Sequence, residues 1–159
     1  MQIFLDCDGV LADFVKGATK GLGMHPTRYE EIHGKKEFWK QIYAIPDFYY
    51  TLPLMPDAHE LVNAVKHLKP VILTGRPVGV WSTQQKLDWG KKYFPDIPMI
   101  VCLAKDKNTY GHPGDILIDD TPKYEHLWTQ MGGIWITHTS AHNTICLLYT
   151  SDAADDTPC

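Results

Sequence analysis

The feature that most constrains this chain is its opening, MQIFLDCDGVLADF. Ile3-Phe4-Leu5 is a short apolar run suited to a strand buried on both faces. It leads straight into two acids one residue apart, Asp6 and Asp8, followed by Gly9. Side chains two positions apart on a strand point the same way. The end of a buried strand therefore presents two carboxylates together, either as a polar turn or as a pair that holds something positive. Cys7 alternates with the acids and points away from them, so it is not read as a nucleophile.

The same pattern recurs downstream. Pro70–Leu73 runs into Thr74-Gly75-Arg76-Pro77, and Asp115–Ile118 runs into Asp119-Asp120. Pro98–Cys102 and Gly133–Thr137 are two further apolar runs. These runs are nearly continuous rather than alternating, the signature of a parallel sheet covered on both faces. Helical spacing separates them. Asp57–Leu68 carries Ala58, Leu61, Val62, Val65 and Leu68 on one face, and Val80–Tyr93 carries Trp81, Leu87 and Trp89. Pro122–Met131 starts with proline in its first turn and Thr121 as cap. Alternating βαβ units predict a doubly wound, Rossmann-like α/β fold.

One segment breaks the rhythm. About fifty residues separate the first acids from the helix at Asp57, far more than a simple crossover needs. The stretch holds Phe14, Tyr29, Phe38, Trp39, Tyr43, Phe48, Tyr49 and Tyr50. It is expected to be a small helical cap over residues 15–55, with most of these rings forming its own core. The core domain is then 1–14 and 56–145. Asp13 is expected at the helix start or at the hinge of the cap.

In a parallel sheet the three polar strand ends lie on one edge. Asp6, Asp8, Asp119 and Asp120 converging there would repel one another unless a cation sat among them. Hard oxygen donors favour Mg²⁺. A divalent ion, a carboxylate nucleophile, a hydroxyl donor and a lysine together suit phosphoryl transfer.

DxDGVLADF, LTGRP, a lysine and LIDD, in that order over residues 1 to 140, resemble the haloacid dehalogenase superfamily of phosphohydrolases. The insert resembles that family's C1-type cap. Within the superfamily the chain is most similar to the small 5′(3′)-deoxyribonucleotidases and their phage and bacterial relatives. The resemblance implies Asp6 as nucleophile forming an aspartyl-phosphate. It implies Asp8 as the acid for the leaving alkoxide and then the base for water, a residue that the dehalogenases lack. Thr74 would bind a phosphoryl oxygen with the Gly75 amide beside it. The lysine would be Lys107 or Lys105, with the spacing favouring Lys107. Mg²⁺ would be held by Asp6, the Asp8 main-chain carbonyl and Asp119, with Asp120 acting directly or through water.

The cap sets the substrate. A base stacks on aromatic rings, and Phe14, Phe38, Trp39 and Phe48 are the candidates, chosen partly by resemblance. Arg76 either touches substrate or pairs with a local acid. The expected activity is Mg²⁺-dependent phosphomonoester hydrolysis, a 5′-nucleotidase-like reaction on deoxyribonucleoside monophosphates. The alternatives are a broad-range phosphatase of sugar phosphates and, in another class, an idle nucleotide- or protein-binding domain.

Composition excludes other classes. No apolar run approaches the roughly 18 residues of a membrane span, and the first residues lack the basic start of a signal peptide. A cytoplasmic setting is expected. The formal charge of −4 does not suggest a nucleic-acid surface. Cys7, Cys102, Cys146 and Cys159 form no CxxC pair or zinc spacing. A small-molecule phosphate monoester is the expected partner, with a homodimer implied only by the resemblance. Residues 146–159 are expected to be a non-native tail, because Cys146–Asp156 resembles a translated sequencing-library adapter. Without its three acids the charge falls to −1. The stretch before it, from His142, is expected to open a final helix capped by Asn143.

Overall fold

A computed structural model describes residues 1–150. Its centre is a five-stranded, wholly parallel sheet: β1 (Ile3–Leu5), β2 (Val71–Arg76), β3 (Met99–Leu103), β4 (Ile116–Asp119) and β5 (Ile134–Thr137). The spatial order is β3-β2-β1-β4-β5. The chain winds outward from β1 through β2 to β3, then returns to place β4 on β1's other side. That reversal opens a crevice at the carboxyl ends of β1 and β4, where open α/β sheets bind ligands.

Apolar character on both faces explains the sheet's central position. Ile3, Leu5, Ile72, Ile116 and Ile118 share one cluster with Leu61 and Val65 of α4 (Ala58–Val65), Trp89 of α5 (Thr83–Tyr93) and Ala141 of α7 (Ala141–Tyr149). Phe4, Leu73 and Leu117 face the other way and pack with Trp128 of α6 (Glu125–Gln130). Trp128 meets Phe4 edge-on at 5.6 Å and donates its indole N–H to the Asp115 and Ile134 carbonyls. Both sheet faces are thereby covered, as continuous apolar strands require.

The long segment after β1 is helical: α1 (Phe14–Leu22), α2 (Pro26–His33) and α3 (Lys35–Ala44). Asp13 caps α1 by accepting from the Lys16 amide. Phe38, Ile42, Phe48, Tyr49 and Leu52 are buried and join this segment to the main core.

Several local expectations shift. β2 runs on through Arg76, pairing Thr74 with Val101 and Gly75 with Cys102, because β3 continues beside it. The helix expected from Val80 begins at Thr83, and its buried face is Ser82, Lys86, Trp89 and Gly90, with Leu87 half-buried. The helix expected from Pro122 starts as a 3-10 turn, Pro122–Tyr124. Thr121 does not cap it by its side chain: its hydroxyl bonds Asp120 Oδ1 instead. Ser140, not Asn143, caps α7, since Ser140 Oγ accepts the Asn143 amide.

The first residues of the adapter-like stretch, Cys146 to Tyr149, continue α7, and the Tyr149 hydroxyl donates to the Ala64 carbonyl of α4 at 2.6 Å. Residues 151–159 of that expected tail lie outside the described residues. Among the described residues no helix is long and apolar enough to cross a membrane.

Candidate active site

The site starts with β1. Leu5 pairs with Ile72 on one side and Ile118 on the other. The Asp6 amide continues the ladder by donating to the Ile118 carbonyl at 2.9 Å. Asp6 and Asp119 are therefore held side by side at adjacent strand ends. Beyond Asp6 the chain turns tightly, and the Val10, Leu11 and Ala12 amides all converge on the Cys7 carbonyl. Gly9 makes the turn at φ +82°, and a Cβ there would overlap the Asp120 carboxylate. Glycine serves both as the left-handed residue and as the gap into which Asp120 fits.

Lys107 completes the centre. It comes from the 3-10 segment Ala104–Tyr110, and its ammonium lies 3.0 Å from Asp6 Oδ1 and 2.8 Å from Asp119 Oδ2. Burial disfavours its charge, but the two carboxylates outweigh that and hold its pKa above the ordinary lysine range. Lys105 is exposed. Of the two lysines, then, Lys107 is the one brought to the acids. The second oxygen of Asp119 accepts the Thr121 amide at 3.0 Å, which orients the carboxylate.

One ammonium does not balance the acids around it. Burial pushes Asp6 well above the ordinary carboxylate range; Lys107 opposes the shift, while Asp119, Asp120 and Asp8 add to it. Burial likewise raises Asp120, with Asp119 contributing. Oxygens of Asp6, Asp119 and Asp120 lie within 4.8 Å of one another. A compact, under-compensated set of hard oxygen donors fits a divalent cation such as Mg²⁺. The Asp8 carboxylate is not part of that set: its Oδ2 accepts from Lys86, and its Oδ1 is buried without a hydrogen-bond partner among the described residues.

Thr74 is fully buried on β2, its hydroxyl close to the Gly75 carbonyl at 3.4 Å. Gly75 packs against Ala104, where a Cβ would stand 2.9 Å from the alanine methyl, so β2 and the Lys107 segment approach closely there. Among the described residues Arg76 pairs with no acid. Its guanidinium donates to the Pro77 and Gly79 carbonyls and closes the loop after β2.

The four candidate aromatic residues divide. Phe38 and Phe48 are 3% and 2% exposed and belong to the core. Phe14 and Trp39 are half-buried, with ring centres 6.5 Å apart. Cys7 is buried, and burial raises its thiol well above the ordinary range, which agrees with a structural role. Tyr49 is likewise held as a neutral phenol by burial and by the Asp8 charge.

Lys86 escaped the sequence reading. It is 2% exposed on α5, with its ammonium 2.8 Å from Asp8 Oδ2, 3.2 Å from Thr74 Oγ1 and 4.2 Å from the centre of the Tyr49 ring. It belongs to no motif. The available signal was its spacing, four after Ser82 and three before Trp89, which puts a lysine on the buried face of a helix.

Known proteins resemble this chain in sequence and in fold. The family model described as 5′ nucleotidase, deoxy (pyrimidine), cytosolic type C protein matches residues 1–152. The chain is 25% identical to the mitochondrial 5′(3′)-deoxyribonucleotidase of Mus musculus, over 90% of this chain and 74% of that protein. It is 26% identical to the Homo sapiens protein of the same name, over 80% and 69%. Among solved structures, a hydrolase from Streptococcus pneumoniae TIGR4 superposes with TM-score 0.59 at 12% identity, over 92% of this chain and 97% of that one. L-2-haloacid dehalogenase from Xanthobacter autotrophicus does so with TM-score 0.55 at 14% identity, over 94% and 83%. These two structures share the fold.

Proposed function

Because the chain belongs to the 5′ nucleotidase, deoxy (pyrimidine), cytosolic type C family of haloacid dehalogenase-type phosphohydrolases, we propose that it hydrolyses deoxyribonucleoside monophosphates through an aspartyl-phosphate. The observation that carries this reading is the buried Lys107 bridging Asp6 and Asp119, with Asp120 alongside.

In this reading an Asp6 oxygen attacks phosphorus and the bond from phosphorus to the ester oxygen breaks. Asp8, entering as the acid, passes its proton to the departing alkoxide. In the second half a water attacks the phosphoenzyme, Asp8 takes its proton, and the bond between phosphorus and Asp6 breaks. Asp6 is regenerated and inorganic phosphate leaves. Lys107 offsets the charge of the nucleophile and of the phosphoryl oxygens. The Thr74 hydroxyl and the Gly75 amide donate to those oxygens. Asp6, Asp119 and the Asp8 main-chain carbonyl would hold Mg²⁺, with Asp120 acting directly or through water; the ion supplies charge neutralisation and orients the phosphate.

Substrate choice rests on the family and on the aromatic rings of the insert. Phe14 and Trp39 keep accessible surface for stacking on a base, whereas Phe38 and Phe48 support them from below. Phosphate release from deoxy- and ribonucleoside monophosphates, sugar phosphates and p-nitrophenyl phosphate, with Mg²⁺ or EDTA, tests the whole reading. Asp6→Asn is the control. Mg²⁺-dependent release strongest on deoxynucleotides and lost in the variant is the expected result. Preference for sugar phosphates would keep the mechanism and overturn the substrate. No release from a folded protein would leave an idle binding domain.

A further inference from the structure

A lysine ammonium is rarely buried without partners, because leaving water is costly for a charge. Lys86 has three, one for each of its N–H bonds: Asp8 Oδ2, Thr74 Oγ1 and the face of Tyr49. Its neighbours fix it in turn. Gln85 accepts the Tyr49 amide at 2.9 Å, and Trp89 donates to the Leu52 carbonyl at 2.8 Å. One face of α5 thus clasps the chain returning from the inserted helices and reaches the site at the same time. Asp6 and Asp119 are bonded by Lys107, whereas Lys86 bonds Asp8 and Thr74, so the two lysines serve different groups.

Its contact with Asp8 indicates what that task is. Lys86 engages only Oδ2, while Oδ1 is buried with no partner among the described residues. The carboxyl is anchored by one oxygen and leaves the other free to exchange a proton with the reacting group. We propose that Lys86 is a positioning residue for Asp8: it sets the rotamer of the proton-transferring carboxyl and, through the Thr74 hydroxyl, the side of the phosphate on which that carboxyl works. This rests on the reading of Asp8 as the acid in the first half-reaction. There the proton moves from Asp8 to the ester oxygen as the phosphorus–oxygen bond breaks and the Asp6–phosphorus bond forms.

Leaving-group dependence distinguishes this role from packing. A nucleoside alkoxide needs a proton to depart, whereas p-nitrophenolate does not. kcat/KM reports only the steps up to phosphoenzyme formation, so it isolates the half-reaction in which Asp8 is the donor. The experiment compares wild type, Lys86→Gln, Lys86→Met and Asp8→Asn on a deoxynucleoside monophosphate and on p-nitrophenyl phosphate. Lys86→Met retains the apolar stem should the glutamine variant fold poorly. The expected result is a loss in kcat/KM at least tenfold larger on the nucleotide than on the aryl ester, for both Lys86 variants and for Asp8→Asn. Equal losses on the two substrates in the Lys86 variants, or none, with Asp8→Asn still selective, would overturn the proposal alone. Equal losses in Asp8→Asn would overturn the assignment of Asp8 on which it stands.

Discussion

The Lys107 ammonium lies 3.0 Å from Asp6 Oδ1, and each side chain is less than a tenth exposed. Lysine and aspartate are 101 residues apart in the chain and meet because the 3-10 segment after β3 packs against the end of β2, the neighbour of β1. In the proposed mechanism, loss of this charge strips Asp6 and the phosphoryl group of their counter-ion within the protein. Lys107→Met is expected to lower kcat/KM by roughly 10² to 10³. Lys105→Met, on an exposed side chain, is expected to stay close to wild type in the same assay.

The surroundings of Asp6 disfavour its charged form. Its folded pKa is raised above the ordinary 3.8, so between the two values the folded state binds more protons than the unfolded one. Stability therefore falls as pH rises through that window. In EDTA, Asp6→Asn should unfold at a higher temperature than wild type at neutral pH, and the difference should shrink as the pH approaches 4. Thermal melts across pH 4 to 8 check both; a less stable variant at neutral pH would contradict the electrostatic account.

Gly9 is constrained both by its backbone and by its neighbour. An alanine there must adopt φ +82° and displace Asp120. The left-handed backbone alone costs about 1–2 kcal/mol. Gly9→Ala is expected to lose that stability in urea and, because Asp120 moves, to weaken Mg²⁺ activation as well. The Mg²⁺ concentration at half-maximal activity reads the second effect.

The aromatic residues of the insert should separate by burial. Phe48→Ala removes a ring that is 2% exposed and should cost about 3–5 kcal/mol in denaturant. Trp39→Ala, on a half-buried ring, should leave stability nearer to wild type but raise KM for deoxynucleotides more than for p-nitrophenyl phosphate.

His138 introduces acid sensitivity away from the Asp6, Asp119 and Asp120 side chains. It is 5% exposed, with Nδ1 2.7 Å from Thr144 Oγ1 and Nε2 unpartnered. Burial lowers its pKa below 6.5, against the opposing charge of Asp57. Below pH 6.5 the unfolded chain takes up the proton first, so stability falls as pH falls from that value toward the folded one. His138→Gln should flatten this part of the profile in urea denaturation between pH 7.5 and 5.

Much of this protein is determined by the sequence alone. Continuous apolar runs ending in Asp6-Cys7-Asp8, Thr74-Gly75 and Asp119-Asp120 specify strands, their parallel arrangement and the edge where the polar ends gather, because strand period and two-sided burial are local properties. Tertiary structure decided the rest. It selected Lys107 over Lys105, buried Phe38 and Phe48 beneath Phe14 and Trp39, and closed Arg76 onto its own loop. It also placed Lys86 against Asp8, 78 residues away. Nothing around Lys86 marks it as more than a helix lysine facing inward. Its partners come from another strand, the first motif and the returning insert, and only the packing of α5 on the sheet brings those three to one ammonium.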